Sequence, residues 1–430
     1  MRRTGRSPLL LMALTVFIDI TGFGLILPLL PFWAEHLGAG PVGVTLILTA
    51  YALAQFLFTP LLGSLSDRYG RRPVILLSLL IEAFAFAWTA LAGSLPLLLA
   101  ARFIGGLGAS NIGSAQAVVA DVTPPEGRAR GMGLIGASIG LGFVVGPAVG
   151  GLLAPLGATL PFWVAMGVAL ANALLVLAFL PETHQRPSPE AQAREPQTAG
   201  AAVRHGRALF AGWQRTLRQP AVARLVTINL LFTLAFTAME AIFPLFSQRV
   251  FGWTAQQNGY IFTYVGVMIV IMQGGLVGRL VKRWGEHRLL IAGLALLAAG
   301  LALLPVSTRL ATLLVALGLL SAGDGAATPT SSALLSFASP ADAQGETLGL
   351  AQGIGGLGRI VGPLLAGVLF TLGIGAPFIA GAGLMALAAA LALPTLPGAR
   401  HDKGTLAVSP ALAERGNAAR DEQEVFTGSN

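Results

Sequence analysis

Cysteine is absent from this 430-residue chain, and charged residues make up only 11% of it. The first absence excludes disulfide bonds, thiolate nucleophiles and cysteine-based metal sites. The second excludes an ordinary soluble domain, in which about 25% of residues are charged. Histidine is scarce as well, and all five copies fall in predicted loops or in the tail. Any proton carried through the apolar part of the chain must therefore use carboxylates.

Signatures of nucleotide chemistry are also missing. Gly353-x-Gly355-x2-Gly358 has the spacing of a dinucleotide-binding loop, but no strand is predicted before it. No Asp or Glu between Thr347 and His401 could bind a ribose, and there is no phosphate-binding loop. We predict no metal, no cofactor and no enzyme activity. A membrane enzyme or receptor is the rival class, since fold alone does not prove function.

Apolar sequence is abundant. Hydrophobic residues reach 54%, and twelve segments each approach the roughly 20 residues needed to cross a bilayer. The first run is longer than the core of a cleavable signal peptide, so we interpret it as a span. Predicted spans 1 to 12 cover 8–32, 42–64, 73–94, 97–120, 130–153, 159–180, 223–246, 257–279, 288–305, 310–336, 347–370 and 375–394. The fold class is therefore all-α and integral to a membrane.

Composition divides the chain into four predicted parts. Residues 1–180 and 223–394 hold six spans each. Residues 181–222 are rich in proline and charge, which predicts a cytoplasmic linker, and 203–218 have the pattern of an amphipathic surface helix. We interpret the linker as a passive connector rather than a regulatory element. The tail, 395–430, is polar and is expected to be disordered and cytoplasmic.

Basic residues predict the orientation. If both termini are cytoplasmic, 23 of the 27 Lys and Arg residues lie on the cytoplasmic side, and only Arg249 and Arg309 lie in the opposite loops. This asymmetry follows the positive-inside rule for a multi-pass protein of the cell membrane. The net charge of +8 is thus spread along one bilayer face, which argues against a nucleic-acid partner.

An internal repeat relates the two sets of six spans. Gly133-x8-Gly142-x3-Gly146-Pro147 returns as Gly349-x8-Gly358-x3-Gly362-Pro363, an offset of 216 residues. Ile26-Leu27-Pro28-Leu29 returns as Ile242-Phe243-Pro244-Leu245 at the same offset. An even number of spans separates the copies, so the halves are parallel repeats. Such repeats place a substrate site between the halves near the middle of the membrane.

Four motifs carry a resemblance to a known family. The segment between spans 2 and 3, Gly63-Ser-Leu-Ser-Asp67-Arg68-Tyr-Gly70-Arg71-Arg72-Pro73, resembles the signature loop of the major facilitator superfamily. Three further segments resemble motifs of its twelve-span drug:proton antiporters: Asp19-x2-Gly22-x-Gly24-x3-Pro28 in span 1, Arg102-x3-Gly106-x-Gly108 in span 4, and Gly142-x3-Gly146-Pro147-x2-Gly150-Gly151 in span 5.

The resemblance implies a major facilitator fold of twelve helices. It also implies proton-coupled efflux of small, mostly lipophilic compounds, as in bacterial tetracycline and multidrug efflux proteins. The partners would be a small-molecule substrate, protons and the lipid bilayer, with a monomer as the working unit and the inner cell membrane as the location. A facilitator or a proton symporter of another solute, with the same fold, is the alternative.

The segment between spans 2 and 3 is expected to hold a charge network. By resemblance, Asp67, Arg71 and Asp121 stabilise one conformation, together with Gly63, Arg68, Gly70 and Arg72 of the same motif. Headgroup binding alone would explain the arginines but not Asp67. In the second copy Lys282 stands in place of Asp67 and Glu286 in place of Arg71, so the network is expected in one half only.

Gly142, Gly146 and Gly150 recur every four residues and form one flat helix face. A neighbouring backbone can approach closely there, and Pro147 is expected to kink the helix. Two interpretations stay open. The face packs within one half, or it glides against and seals the other half.

Ionisable residues within spans are functional candidates because an intramembrane charge costs at least about 2.5–3.5 kcal/mol. Asp19 is expected to carry the proton, with Arg102 nearby and Glu240 and Asp324 as secondary acids. Structural pairing, such as Arg102 with Asp19, is the alternative. Glu82 has only apolar neighbours in sequence, and neither it nor Arg359 receives a definite role.

Spans 7 and 10 carry polar stripes that would face an aqueous cavity. The predicted substrate contacts are Asn229, Phe232, Phe236, Phe243 and Thr328. Tetracycline efflux proteins, by resemblance, carry a histidine in helix 8 and an aspartate in helix 9. Predicted span 8 here has no histidine and span 9 no acid, so we expect a broader or different substrate than tetracycline.

Overall fold

The computed structural model describes residues 6–124, 127–183, 218–339 and 344–394. These residues form helices joined by short connections. In chain order the helices are α1 (Arg6–Ile26, continued by Leu30–His36), α2 (Pro41–Tyr69), α3 (Arg71–Leu91), α4 (Leu95–Gly108, continued by Ile112–Val122), α5 (Arg128–Leu153), α6 (Leu160–Phe179), α7 (Pro220–Phe251), α8 (Ala255–Ile271, continued by Val277–Trp284), α9 (Glu286–Leu303), α10 (Leu310–Ala338), α11 (Gln344–Leu372) and α12 (Ala376–Ala392).

Length and composition support twelve membrane crossings. Eleven of the described helices are long and apolar enough to cross a bilayer, and α12 is a shorter apolar helix of 17 residues. Seventeen residues lie at the lower end of what suffices to span the hydrocarbon core. The predicted all-α membrane fold is confirmed, and every predicted span overlaps an observed helix.

Three helices are interrupted. α1 breaks at 27–29, where Pro28 has no N–H to continue the helical hydrogen bonds. α4 tightens into a 3-10 turn at Ala109–Asn111, and α8 widens into a π-helical turn at Met272–Leu276. A proline therefore accounts for only one of the three interruptions. Pro147 and Pro244, in contrast, lie within uninterrupted helices.

The connection between α2 and α3 is shorter than the eleven-residue motif suggests. α2 runs to Tyr69 and α3 starts at Arg71, which leaves Gly70 as the turn, at φ +108°. Glycine reaches such angles without the steric cost that a side chain would add. Asp67 and Arg71 are therefore held on rigid helix ends, four residues apart.

Helix pairing repeats between the halves. In the first half α1 packs on α5 and α6, α3 packs on α4 and α6, and α2 packs on α4. In the second half the same contacts recur six helices later, with α7 on α11 and α12, α9 on α10 and α12, and α8 on α10. Two further pairs, α5 with α8 and α2 with α11, join the halves. The prediction of two parallel six-helix halves is confirmed.

The halves touch at one end and separate at the other. Gly151, Gly140 and Gly133 lie on one face of α5, because seven and eleven residues are close to whole helical turns. A methyl group built on Gly151 would lie 3.1 Å from the Gly259 backbone of α8, and one on Gly140 would lie 3.7 Å from Val270. One on Gly133 would meet nothing within 4 Å.

The symmetry-related face of α11 shows the same gradient. Gly367 approaches Pro41 and Thr45 of α2, Gly356 approaches the Phe56 ring, and Gly349 has open space around it. We call these two lines of contact the seams. The seams close where α2 begins and open where α2 ends, so the space between the halves opens at the end that carries the α2–α3 turn.

The predicted domain boundaries stay predictions, although α6 ends at Phe179 and α7 begins at Pro220, close to them. The predicted surface helix at 203–218 lies outside the described residues except for its last residue. The predicted tail, 395–430, lies outside them entirely.

Candidate functional site

A cavity of about 500 Å³ lies between the halves. α1 and α5 form its wall on one side, and α7, α8, α10 and α11 form the rest. Its lining is mainly apolar, with a few polar and charged side chains. This volume and lining suit a drug-sized compound that carries few polar groups.

Most predicted substrate contacts lie in this cavity. Phe232 and Phe236 line it as a stacked pair with ring centroids 5.8 Å apart, and Phe243 and Thr328 line it as well. Asn229 does not line the 500 Å³ space. It borders a separate pocket of about 50 Å³, and its side-chain amide donates a hydrogen bond of 3.0 Å to the Ala351 carbonyl of α11. Asn229 therefore joins two helices.

Two acids and one base border the cavity. Glu240 of α7 and Asp324 of α10 line it, and the Thr328 hydroxyl donates a hydrogen bond of 2.9 Å to Asp324 Oδ1. Arg359 of α11 lines the same space. Part of each predicted polar stripe faces the cavity. The α7 stripe faces it up to Glu240, and the α10 stripe faces it up to Thr328.

A second group of charges lies inside the first half, away from this cavity. The carboxyl groups of Asp19 of α1 and Glu82 of α3 lie close enough to interact, and only 2% of Glu82 is exposed. Arg102 of α4 lies beside them with its guanidinium 4.5 Å from the centre of the Tyr51 ring. Its Nε and Nη1 atoms have no hydrogen-bond partner among the described residues. We call Asp19 and Glu82 the acid pair.

Glycines of α4 bring these helices together. Gly106 contacts the Tyr51 carbonyl of α2, and a methyl group on Gly108 would lie 2.8 Å from the Glu82 backbone nitrogen. The span-4 motif thus lets α4 approach both α2 and α3 and places Arg102 next to Glu82. The five proton-coupling candidates consequently fall into two separate groups, one enclosed and one lining the cavity.

The predicted charge network is assembled at the end of α2. Arg71 Nη1 lies 2.6 Å from Asp67 Oδ1, and Arg71 Nε lies 3.2 Å from Asp121 Oδ2 of α4. Arg71 Nη1 also donates to the Ser66 hydroxyl at 3.0 Å. All these contacts lie within the first half. Asp67 is 64% exposed, so it is accessible to a further partner.

Glu182, just after α6, is a member of this region that sequence reasoning missed. Its carboxylate accepts hydrogen bonds from the backbone nitrogens of Arg71, at 2.9 Å, and Arg72, at 3.3 Å. It therefore satisfies free N–H groups at the start of α3. The sequence signal for this role of Glu182 was an acid placed directly after a span, on the same membrane face as three arginines.

The second copy lacks this network. Neither Lys282 nor Glu286 forms an ion pair within 4.0 Å among the described residues. The Gly285 turn between them keeps a positive φ of +78°. The backbone turn is thus repeated, whereas the charges are not.

Comparison with known proteins identifies the family. The sequence profile described as Major Facilitator Superfamily matches residues 12–290 and 274–421.

The chain belongs to the major facilitator superfamily.

Similar proteins of the superfamily are drug resistance proteins. The chain is 33% identical over 364 residues to the Escherichia coli tetracycline resistance protein, class C, covering 83% of this chain and 88% of that one. It is 29% identical to multidrug resistance protein 2 of Bacillus subtilis, covering 85% and 89%. The crystal structure of the human organic anion transporter MFSD10 matches with 28% identity and a TM-score of 0.69, covering 91% and 100%.

Membership makes this chain a multi-pass membrane transport protein rather than an enzyme.

The helix 5 motif packs mainly on one neighbouring helix. Gly142, Gly146 and Gly150 pack on α1, where Gly146 meets Gly24 and Gly150 meets the Leu25 carbonyl.

The last glycine of the motif serves a different contact. Gly151 points to α8 and meets Gly259 in the seam. The flat face of the motif therefore packs within one half, and gliding against the other half stays a prediction. Three glycines pack within one half, and the fourth lies between the halves.

Proposed function

We propose that this transporter exports small, largely lipophilic, drug-like compounds in exchange for protons. The observation that carries the proposal is the separation of two sites, an aromatic cavity between the halves and an enclosed acid pair in the first half. Relatives named for tetracycline resistance, multidrug resistance and organic anion transport support the same class of cargo.

The acid pair is suited to hold the exchanged proton. Two enclosed carboxyl groups this close can share one proton, because two carboxylates would repel each other. Asp19 is the principal carrier in this proposal and Glu82 shares its proton. Arg102, with two unsatisfied donors, stabilises the pair when the proton leaves.

Glu240 and Asp324 act as secondary acids in the cavity. There they can exchange a proton against a bound compound, since both line the space that the compound would fill. Phe232, Phe236 and Phe243 supply the apolar contact surface, and Thr328 orients Asp324.

The structure corresponds to an inward-open state in this proposal. Both termini are cytoplasmic by the positive-inside rule, so the open end of the seams faces the cytoplasm of the cell. Export then proceeds by loading from the cytoplasm and rocking of the halves, with protons entering in return. A monomer contains both sites, and no cofactor is required.

The test is the pH change that a panel of compounds produces in proteoliposomes containing the purified protein. Antiport and symport move protons in opposite directions relative to the substrate, and a facilitator moves none. A proton signal of the antiport sign for several compounds is expected. A symport sign, or transport without proton movement, would favour the alternative.

Cells that express the protein provide the substrate range. We expect comparable protection against several planar, lipophilic drugs, because the cavity is lined mainly by aromatic and apolar side chains. Strong protection that is confined to tetracycline would contradict this expectation.

A further inference from the structure

Arg359 of α11 lines the cavity from a position between the helix faces that contact α7 and α2. Gly355, Gly358 and Gly362 contact α7, and Gly356 contacts α2. The Ile360 carbonyl of α11 accepts a hydrogen bond from Thr49 of α2. With about 100° between successive residues, Arg359 falls midway between these two contact faces.

The Arg359 guanidinium has no counter-charge among the described residues. No carboxylate of this part of the chain lies within 4.0 Å of it, although Glu240 and Asp324 line the same cavity. Its side chain is exposed rather than packed. An arginine within a membrane span is a functional candidate by default, and one that faces an open cavity is placed to meet a ligand there.

The position equivalent to Arg359 in the first half carries no charge. The repeat offset of 216 residues places Phe143 of α5 where the second half has Arg359, and Phe143 also lines the cavity. The Phe143 ring packs edge to face with the Phe23 ring, with centroids 6.2 Å apart. One half therefore offers an aromatic ring to the cavity, and the other offers a cation at the equivalent position.

A compound that fits both surfaces is an aromatic body with one acidic group. The stacked Phe232 and Phe236 supply a further aromatic face in the same cavity. A carboxylate on the compound would receive two parallel N–H donors from arginine, which is the strongest pairing that this side chain makes.

We propose that Arg359 binds the carboxylate, or an equivalent acidic group, of an aromatic substrate in the central cavity. The inference rests on the proposed function of the cavity and adds the charge of its substrate class. Arg359 is thereby a specificity-determining residue, and it distinguishes acids from their neutralised derivatives.

The test compares tetramethylrhodamine with its methyl ester, two dyes that differ in one carboxylate. Binding is measured by fluorescence anisotropy on purified protein in lipid nanodiscs, for the wild type, Arg359→Gln and Arg359→Lys. Arg359→Gln should weaken binding of the acid about 10- to 100-fold, the range for a hydrogen bond to a charged group, and leave the ester within about twofold. Arg359→Lys keeps the charge but loses the paired donors, so it should retain only part of the preference for the acid.

Arg309→Gln is the matched control, because Arg309 is an exposed arginine in the loop before α10. It should change neither dye. Equal losses of both dyes in Arg359→Gln, or no loss of the acid, would overturn the inference. Size-exclusion profiles separate misfolding from lost recognition, and the Arg359→Lys result decides the case if Arg359→Gln misfolds.

Gradient-driven movement of the two dyes in vesicles tests the proposed function separately. If wild-type vesicles pump the ester but acid binding does not depend on Arg359, only the inference about Arg359 fails. If acid binding depends on Arg359 but neither dye is pumped, the export proposal fails and the binding role of Arg359 stands.

Discussion

The two halves share one arrangement of helices and use their charges in opposite ways. The first half encloses Asp19, Glu82 and Arg102. The Arg102 side chain is only 1% exposed and is one of the largest buried side chains. The second half presents Glu240, Asp324 and Arg359 to the cavity. Equivalent scaffolds therefore hold one set of charges away from the cavity and the other set on its wall.

This difference suggests a division of labour between the halves. Charges that no substrate touches can change protonation without changing what binds, whereas charges on the cavity wall influence which compound fits. Coupling would then depend mainly on the first half, with Glu240 and Asp324 as secondary acids, and recognition on the second. The charge network at the end of α2, which also lacks a counterpart in the second half, fits this asymmetry.

The largest expected effect comes from Asp19→Asn. An amide cannot carry the proton, so uphill efflux should be lost and the concentration ratio of the substrate across the vesicle membrane should fall to unity. Binding and passive exchange of substrate should survive, because Asp19 does not line the cavity. Proteoliposome efflux and equilibrium binding, measured on the same preparation, give both quantities.

Asp324→Asn is the matched control in the second half, since it makes the same chemical change at the cavity wall. It should alter the relative affinities of different compounds. The division of labour is wrong if Asp19→Asn still pumps against a gradient with normal pH dependence. It is equally wrong if the two variants are indistinguishable in both assays.

Asp67→Asn should reduce transport sharply and leave membrane insertion intact. Arg71 would lose its 2.6 Å ion pair but keep Asp121 and the backbone contact to Glu182, so the fold should persist while one state of the transport cycle is destabilised. Transport rate per inserted molecule is the measurement. Lys282→Asn, at the equivalent place in the second half, should have little effect, and wild-type turnover of Asp67→Asn would contradict the assignment.

Gly150→Ala has the smallest expected effect, on stability rather than on coupling. An added methyl group would overlap the Leu25 carbonyl of α1, and overpacking of this kind typically costs about 1–3 kcal/mol. A lowered midpoint of thermal unfolding in detergent is expected. Gly136→Ala, with open space around it on the same helix, should be neutral. Equal stability of the two variants would show that α1 and α5 are not held by this contact.

The sequence predicted the features that depend on neighbouring residues along the chain. Span positions follow from apolar length, whereas the contact between Asp67 and Arg71 was expected from the family resemblance, since the Gly70 turn places the two residues on different helices. The contact between Asp19 and Glu82 was not predictable in the same way. It depends on how α1 and α3 are rotated against each other, and the apolar residues around Glu82 in sequence gave no sign of a partner.

Asn229 shows the same limit of prediction from sequence, here for an expected substrate contact. Its place on the polar stripe of α7 suggested a substrate contact, yet its amide binds the Ala351 carbonyl of α11. A stripe specifies a direction from the helix axis, and at the depth of Asn229 that direction meets a neighbouring backbone. The depth at which the cavity ends is a property of the packed halves.

The graded contacts along α5 have a mechanical consequence. If the halves rotate about the level of Gly140, the helix acts as a lever with two nearly equal arms. Twelve residues to Arg128 span about 18 Å and thirteen residues to Leu153 about 20 Å. Any rotation that parts Gly151 from Gly259 then closes the open end by a similar distance. A spectroscopic reporter near Gly151 and Gly259 would therefore register the conversion with about the same amplitude as one placed at the open end, and with the opposite sign.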